Sequence, residues 1–112
     1  MKSCKITALI FSVFLFIFFI YGNTTAQAQT SNSVNAMKII KAKGCLSCHT
    51  INGSGGSVGP SLSKEGTKGR SIHWLKVQIT DPSKHFSGSI MPQYYLKPAQ
   101  LEEVAQYLES LK

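Results

Sequence analysis

The chain is 112 residues long and 43% hydrophobic, with 12 Lys+Arg against 5 Asp+Glu and a formal net charge of +7. That length holds one small domain and excludes a multidomain enzyme. A basic balance narrows the partners to nucleic acid, an anionic membrane or acidic proteins.

The first segment reads as a leader. Lys2 and Lys5 form a positive start, and Ile6 to Tyr21 then run apolar except for Thr7, Ser12 and the Tyr21 hydroxyl. Ala26-Gln27-Ala28 places small residues where a signal peptidase cuts, so residues 1–28 are expected to be a signal peptide and residues 29–112 the mature domain. The rival reading is a retained anchor, but the apolar run falls short of the ~20 residues that a spanning helix needs. Cys4 precedes that run, so it cannot be a lipid-accepting cysteine and leaves with the leader. Export argues against nucleic acid. It also takes much of the apolar content with it, so the remaining domain is marginal unless something besides aliphatic packing holds it.

A first helix is expected from an N-cap at Asn32 or Ser33 to about Lys43, with Met37, Ile39 and Ile40 on its apolar face and Gly44 as its stop. Next comes Gly44-Cys45-Leu46-Ser47-Cys48-His49, which holds two of the three cysteines. A Cys45–Cys48 disulfide would close too small a loop to stabilise a marginal fold by chain entropy, and no strand precedes it to frame a redox motif. Zinc would need four donors. Adjacent Cys48 and His49 do not easily share one tetrahedral ion, and His73 and His85 stand alone. Covalent haem uses every residue of the string. Two thiols at this spacing add to two vinyl groups of one porphyrin, and the histidine that follows is delivered to the iron. Attachment of this kind happens outside the cytoplasm, which agrees with the leader.

The run Asn52 to Gly59 is glycine-rich but lacks the Gly-Lys-Ser/Thr ending of a phosphate loop and the spacing of a dinucleotide fingerprint. It reads as a flexible connection to Pro60. A middle helix is expected over Ser71 to Ile79, with Ile72, Leu75 and Ile79 at spacings of three and four and Pro82 just beyond. The last helix begins at Pro98 and carries Leu101, Val104, Ala105, Leu108 and Leu111 on one stripe, with Glu102, Glu103 and Glu109 turned outward. No alternating segment of useful length predicts a strand, so the fold class is all-α.

Histidine on one face of an iron leaves a second axial position, and its occupant decides between electron transfer and ligand chemistry. Met37 lies on a helical stripe and reads as core. His73 lies on the middle helix and reads as a surface or packing residue. His85 sits in the loop-like run Asp81 to His85 and is a competitor. Met91 sits in Ser87 to Tyr95, a loop rich in Gly, Ser and Pro, where Pro92 denies it the helical region. It is the favoured metal ligand; the plain alternative is a loop methionine tucked against the core.

Val34 to Leu111 resembles the class I c-type cytochromes, especially the small bacterial monohaem ones. The attachment string follows an N-terminal helix, Gly59-Pro60-Ser61-Leu62 matches a Gly-Pro-x-Leu segment, and Met91-Pro92 precedes a C-terminal helix. The resemblance implies a cytochrome c fold, three principal helices plus short turns around one covalently bound haem c. By resemblance, the Pro60 carbonyl accepts a hydrogen bond from the non-ligating nitrogen of His49, Trp74 packs beside the haem and bonds a propionate, and Arg70 is a second propionate partner. Tyr107 would pack against Ile40.

A one-electron carrier follows as the leading expectation, periplasmic or otherwise extracytoplasmic, or membrane-anchored on the outer side if the leader stays. Iron held by both His49 and Met91 has no site for a substrate, and no acid–base pair or activated nucleophile can be assembled, so no catalytic residue is expected. Lysines 38, 41, 43, 64, 68 and 76 could surround the exposed haem edge and attract acidic redox partner proteins; ordinary solubility explains them equally. The competing classes are a haem subunit of a larger oxidoreductase, and an open-site haem protein that senses or reacts with a small gas or peroxide.

Overall fold

The structure is a computed structural model, and it describes residues 24–112; the basic start and the apolar run of the expected leader lie outside the described residues. The chain divides into Met1–Ser31 and Asn32–Lys112, and the fold described below is that of the second unit. Helix α1 spans Thr24–Ala42, followed by a 3-10 turn at Cys45–Ser47. Two antiparallel strands come next, β1 (Thr50–Ile51) and β2 (Ser54–Gly55), with Thr50 opposite Gly55 and Ile51 opposite Ser54. A 3-10 turn at Glu65–Lys68 leads to helix α2 (Ile72–Thr80), and a turn at Pro82–Lys84 precedes helix α3 (Pro98–Ser110). The fold is therefore all-α, with three principal helices and short turns. Among the described residues no helix is long and apolar enough to cross a membrane.

Helix boundaries follow local chemistry. α1 ends where Gly44 turns left-handed at φ 74°, with the Gly44 N–H closing on the Lys41 carbonyl at 3.1 Å. Its start differs from expectation, because the helix runs on through Asn32 and Ser33 to Thr24. A side chain fit to cap a helix does not end one, and the segment from Thr24 to Ala42 contains no Gly or Pro to break it. α2 starts where Ser71 Oγ accepts the Trp74 N–H at 3.1 Å. α3 begins with Pro98 in its first turn, where a missing N–H costs nothing.

The core is one cluster: Ile39 and Ile40 from α1, Ile51 from β1, Leu75 and Ile79 from α2, and Val104, Ala105 and Leu108 from α3. Each of the larger members contributes about 1.5–3 kcal/mol on burial. Tyr107 packs against this cluster, which contains Ile40. Polar side chains off the stripe tie the helices at the surface. Asn35 Nδ2 donates to both Glu103 oxygens at 2.8 and 2.7 Å, joining α1 to α3. Lys76 Nζ meets Glu102 Oε2 at 2.7 Å, joining α2 to α3. The outward glutamates thus reach sideways to neighbouring helices.

Candidate functional site

The cysteine string is wound tightly on itself. His49 N–H donates to the Cys45 carbonyl at 3.0 Å and Ser47 N–H to the Gly44 carbonyl at 3.0 Å. Both thiols are free and half-buried, so no Cys45–Cys48 disulfide forms. Burial pushes the Cys45 thiol above its ordinary range, with its own backbone N–H and the Lys43 charge pulling the other way. Among the described residues no group of three His, Cys, Asp or Glu is placed to hold a metal ion, which leaves the zinc reading without a donor set.

His49 is clamped from two directions. Its Nδ1 lies 2.8 Å from the Pro60 carbonyl oxygen. A carbonyl only accepts, so Nδ1 is the donor, and of the two neutral tautomers the contact selects the one whose lone pair is on Nε2. Gly59 lies against the ring, where an added Cβ would stand 2.6 Å from Cε1. The glycine-rich run that places these residues is not a loose connection. Gly56 N–H donates to the Leu46 carbonyl and Gly59 N–H to the Cys48 carbonyl, both at 2.8 Å, and Thr50 Oγ1 donates to the Gly56 carbonyl at 2.6 Å. A Cβ on Gly56 would collide with the Ser47 carbonyl. The glycines are there so that backbone can lie on backbone, which composition alone does not distinguish from flexibility.

Above this clamp lies a cavity of about 380 Å³, within the range of sites for small molecules and cofactors. Aliphatic and aromatic side chains from all three helices make up most of its wall, including Ile40, Leu75, Ile79 and Leu108. The residues singled out from the sequence meet there: Cys45, Cys48, His49, Pro60, Arg70, Trp74 and Met91 all line it. The other candidate ligands do not. Met37 is packed on the core cluster and His73 is exposed. His85 stacks on Trp74, with ring centroids 4.2 Å apart and planes 15° from parallel.

Two wall residues escaped the sequence reading. Glu65 is 1% exposed and holds Lys68 at 2.6 Å and Arg70 at 2.9 Å. Arg70 in turn lies 4.1 Å over the Trp74 ring, so Glu65 orients both of the polar residues expected near a propionate. No pattern around Glu65 marks it, since an acidic residue in a polar turn is ordinarily solvated. Gln78 points its Nε2 to Met91 Sδ at 3.6 Å. Its position one helical turn after Trp74 was the available signal. The lysine ring is also thinner than expected: Lys68 and Lys76 are committed to Glu65 and Glu102, and Lys43 donates to the Tyr95 carbonyl at 3.3 Å. Lys38, Lys41 and Lys64 are exposed.

Comparison with known proteins places this arrangement. A family model for cytochrome c matches residues 33–112. The chain is 33% identical over 89 residues to the menaquinol:cytochrome c reductase cytochrome c subunit of Bacillus subtilis (strain 168), a match covering 78% of this chain and 32% of that protein. The matched part is thus about a third of the relative's length. Among solved structures it resembles SoxXA from P. pantotrophus, with a TM-score of 0.65 at 20% identity, covering 72% of this chain and 82% of that one. At that identity the likeness is one of fold.

Proposed function

Because the chain belongs to the cytochrome c family, and its cofactor is accordingly a covalently bound haem c, we propose that it is an extracytoplasmic one-electron carrier whose iron is held by His49 and Met91. The observation that carries this reading is the meeting of those two side chains, without Met37, His73 or His85, in the wall of one apolar cavity beside two free thiols; Lys43 also lines it but donates to the Tyr95 carbonyl. The donor set suits the group: thiols for thioether bonds, an imidazole whose Nδ1 is engaged by Pro60 so that Nε2 is the nitrogen left to ligate, and a thioether sulfur. When bound, the haem supplies a ferric/ferrous couple that gains or loses one electron.

The chain's own residues do the rest. Cys45 and Cys48 would fix the porphyrin by adding their S–H groups across its vinyl groups. Pro60 and Gly59 hold the His49 ring in one tautomer and one orientation, which strengthens it as a ligand. Met91 would supply the second iron ligand and so leave no iron site for a substrate. Trp74, together with Arg70 as Glu65 holds it, would face the propionates. Exposed Lys38, Lys41 and Lys64 favour an acidic docking surface on a redox partner. The expected leader places the protein in the periplasm or an equivalent compartment.

A second reading has a specific observation behind it. The Bacillus relative is a reductase subunit about three times the length of the matched part, so this domain could serve as the haem subunit of a larger oxidoreductase. Purification at high salt separates the two: a free carrier elutes alone, and a subunit keeps its partners. The ligand assignment is tested by the visible spectrum of the reduced protein before and after carbon monoxide. An unchanged spectrum is expected. A shifted Soret band would mean an available iron site and would move the protein to gas sensing or peroxide chemistry.

A further inference from the structure

Glu65 is an ionisable side chain in the cavity wall to which haem attachment and iron ligation assign no task. It is 1% exposed, and each of its oxygens meets a cation: Oε2 accepts from Lys68 Nζ at 2.6 Å and Oε1 from Arg70 Nη1 at 2.9 Å. Both cations are about a third exposed, so the anion is the most buried charge of the three. Stability does not account for this arrangement, because well-packed apolar side chains in place of a buried ion pair are often as stable or more so. The turn that carries Glu65 is also fixed in place. Gly66 N–H donates to the Leu111 carbonyl at 2.8 Å, and a Cβ on Gly66 would collide with the Glu109 carbonyl, so the turn is seated on the last residues of α3.

Resting on the reading of the protein as a one-electron haem carrier, we infer that Glu65 sets the potential of that haem: it is a fixed negative charge in the cavity wall that stabilises the ferric state and holds the midpoint potential down. Ferric haem carries one more positive charge than ferrous haem. A buried anion acts on that difference where Coulomb interactions are stronger than in water. The two cations opposing it lie nearer to solvent and are screened more. Glu65 positions Arg70 as well. It takes the guanidinium through Nη1, which leaves the other N–H groups for a second acceptor while the same guanidinium lies 4.1 Å over the Trp74 ring.

The test uses the haem-loaded protein with Glu65→Gln, which keeps the shape and an acceptor for Arg70 but removes the charge. Redox titration should show the potential rising, by about a tenfold change in the ferric-to-ferrous ratio, or about 59 mV for a one-electron couple. The sign is diagnostic. A loosened wall that admits water would favour the more highly charged ferric state and lower the potential, and a merely structural role would lower the Tm and leave the potential where it is. Because Glu65→Gln strands the Lys68 ammonium, Glu65→Gln/Lys68→Met is the second variant. There a screened cation leaves with the buried anion, so the rise should be smaller and of the same sign. A potential that stays put or falls in Glu65→Gln, or in the double variant where the single one does not load haem, overturns the inference. The unaltered protein separates this from failure of the carrier reading. Absence of a reversible one-electron wave there removes the carrier and the inference with it, whereas a reversible wave unmoved by Glu65→Gln overturns the role of Glu65 alone.

Discussion

The two parts of the cavity wall that carry the proposed ligands, His49 and Met91, are built by different means. Around His49 the work is done by main chain: Gly56 and Gly59 donate to carbonyls of the cysteine string, Leu62 N–H donates to the Thr50 carbonyl at 2.9 Å, and the Pro60 carbonyl accepts from His49 Nδ1. Around Met91 it is done largely by side chains. Met91 N–H rests on Ser89 Oγ at 3.3 Å, the sulfur rests on Gln78, and the neighbouring Ile90 is 85% exposed. The backbone bond that returns this segment to the fold, Tyr94 N–H to the Ile79 carbonyl at 3.0 Å, comes three residues after the methionine. A ligand held by backbone geometry tolerates little substitution nearby. One held by side chains can be displaced while the fold survives.

The sharpest way to break this contrast is at the attachment residues. Replacing Cys45 and Cys48 together by Ser should abolish covalently bound haem outright, as read by haem staining of a denaturing gel. Retained covalent haem would remove both from the attachment role. Next come two substitutions of similar size on the two parts of the wall. Gly59→Ala forces a methyl group into the His49 ring and should cost about 1–3 kcal/mol, seen as a lower Tm and an altered spectrum. Met91→Leu keeps the volume and should cost less than about 1.5 kcal/mol, yet it should let carbon monoxide reach the iron. Equal stability losses in the two variants would erase the distinction drawn here.

The smallest effect lies on α2, the helix that presents Gln78. Lys76 donates to Glu102 and holds its carboxyl below the usual carboxylate range, with Gln106 adding to the effect. A carboxyl depressed in the folded state stabilises above its unfolded pKa, and that contribution is lost as the pH falls through the lower, folded value. Acid should therefore lower the Tm slightly, and Lys76→Met should flatten this part of the profile. Because the pair is only half-buried and open to solvent, high salt should act in the same direction as the substitution. A pH profile unchanged by Lys76→Met would mean the ion pair does not join α2 to α3 in solution.

Much of the molecule could be read before any coordinates. The cysteine string, the apolar stripe from Leu101 to Leu111 and the helix starting at about Ser71 are local patterns, and local hydrogen bonding and helical periodicity act over a few residues. The positions at which α2 and α3 begin followed from the same short-range rules. The extent of α1 did not, because Asn32 and Ser33 can cap a helix but need not. The glycines from Gly53 to Gly59 looked like flexibility, since glycine permits both mobile chain and close backbone approach, and only the path of the folded chain separates them.

What the sequence determined by itself is the chemistry on offer: two thiols and a histidine in one turn, a methionine before a proline, and helices with an apolar face each. What only the tertiary structure decided is which of four candidate ligands shares a cavity with His49, that a fully buried Glu65 holds Arg70, and that Gln78 meets Met91. The last two join residues on different elements, and each rests on where those elements pack. Burial and partner choice are set by the whole fold, so no spacing along the chain encodes them.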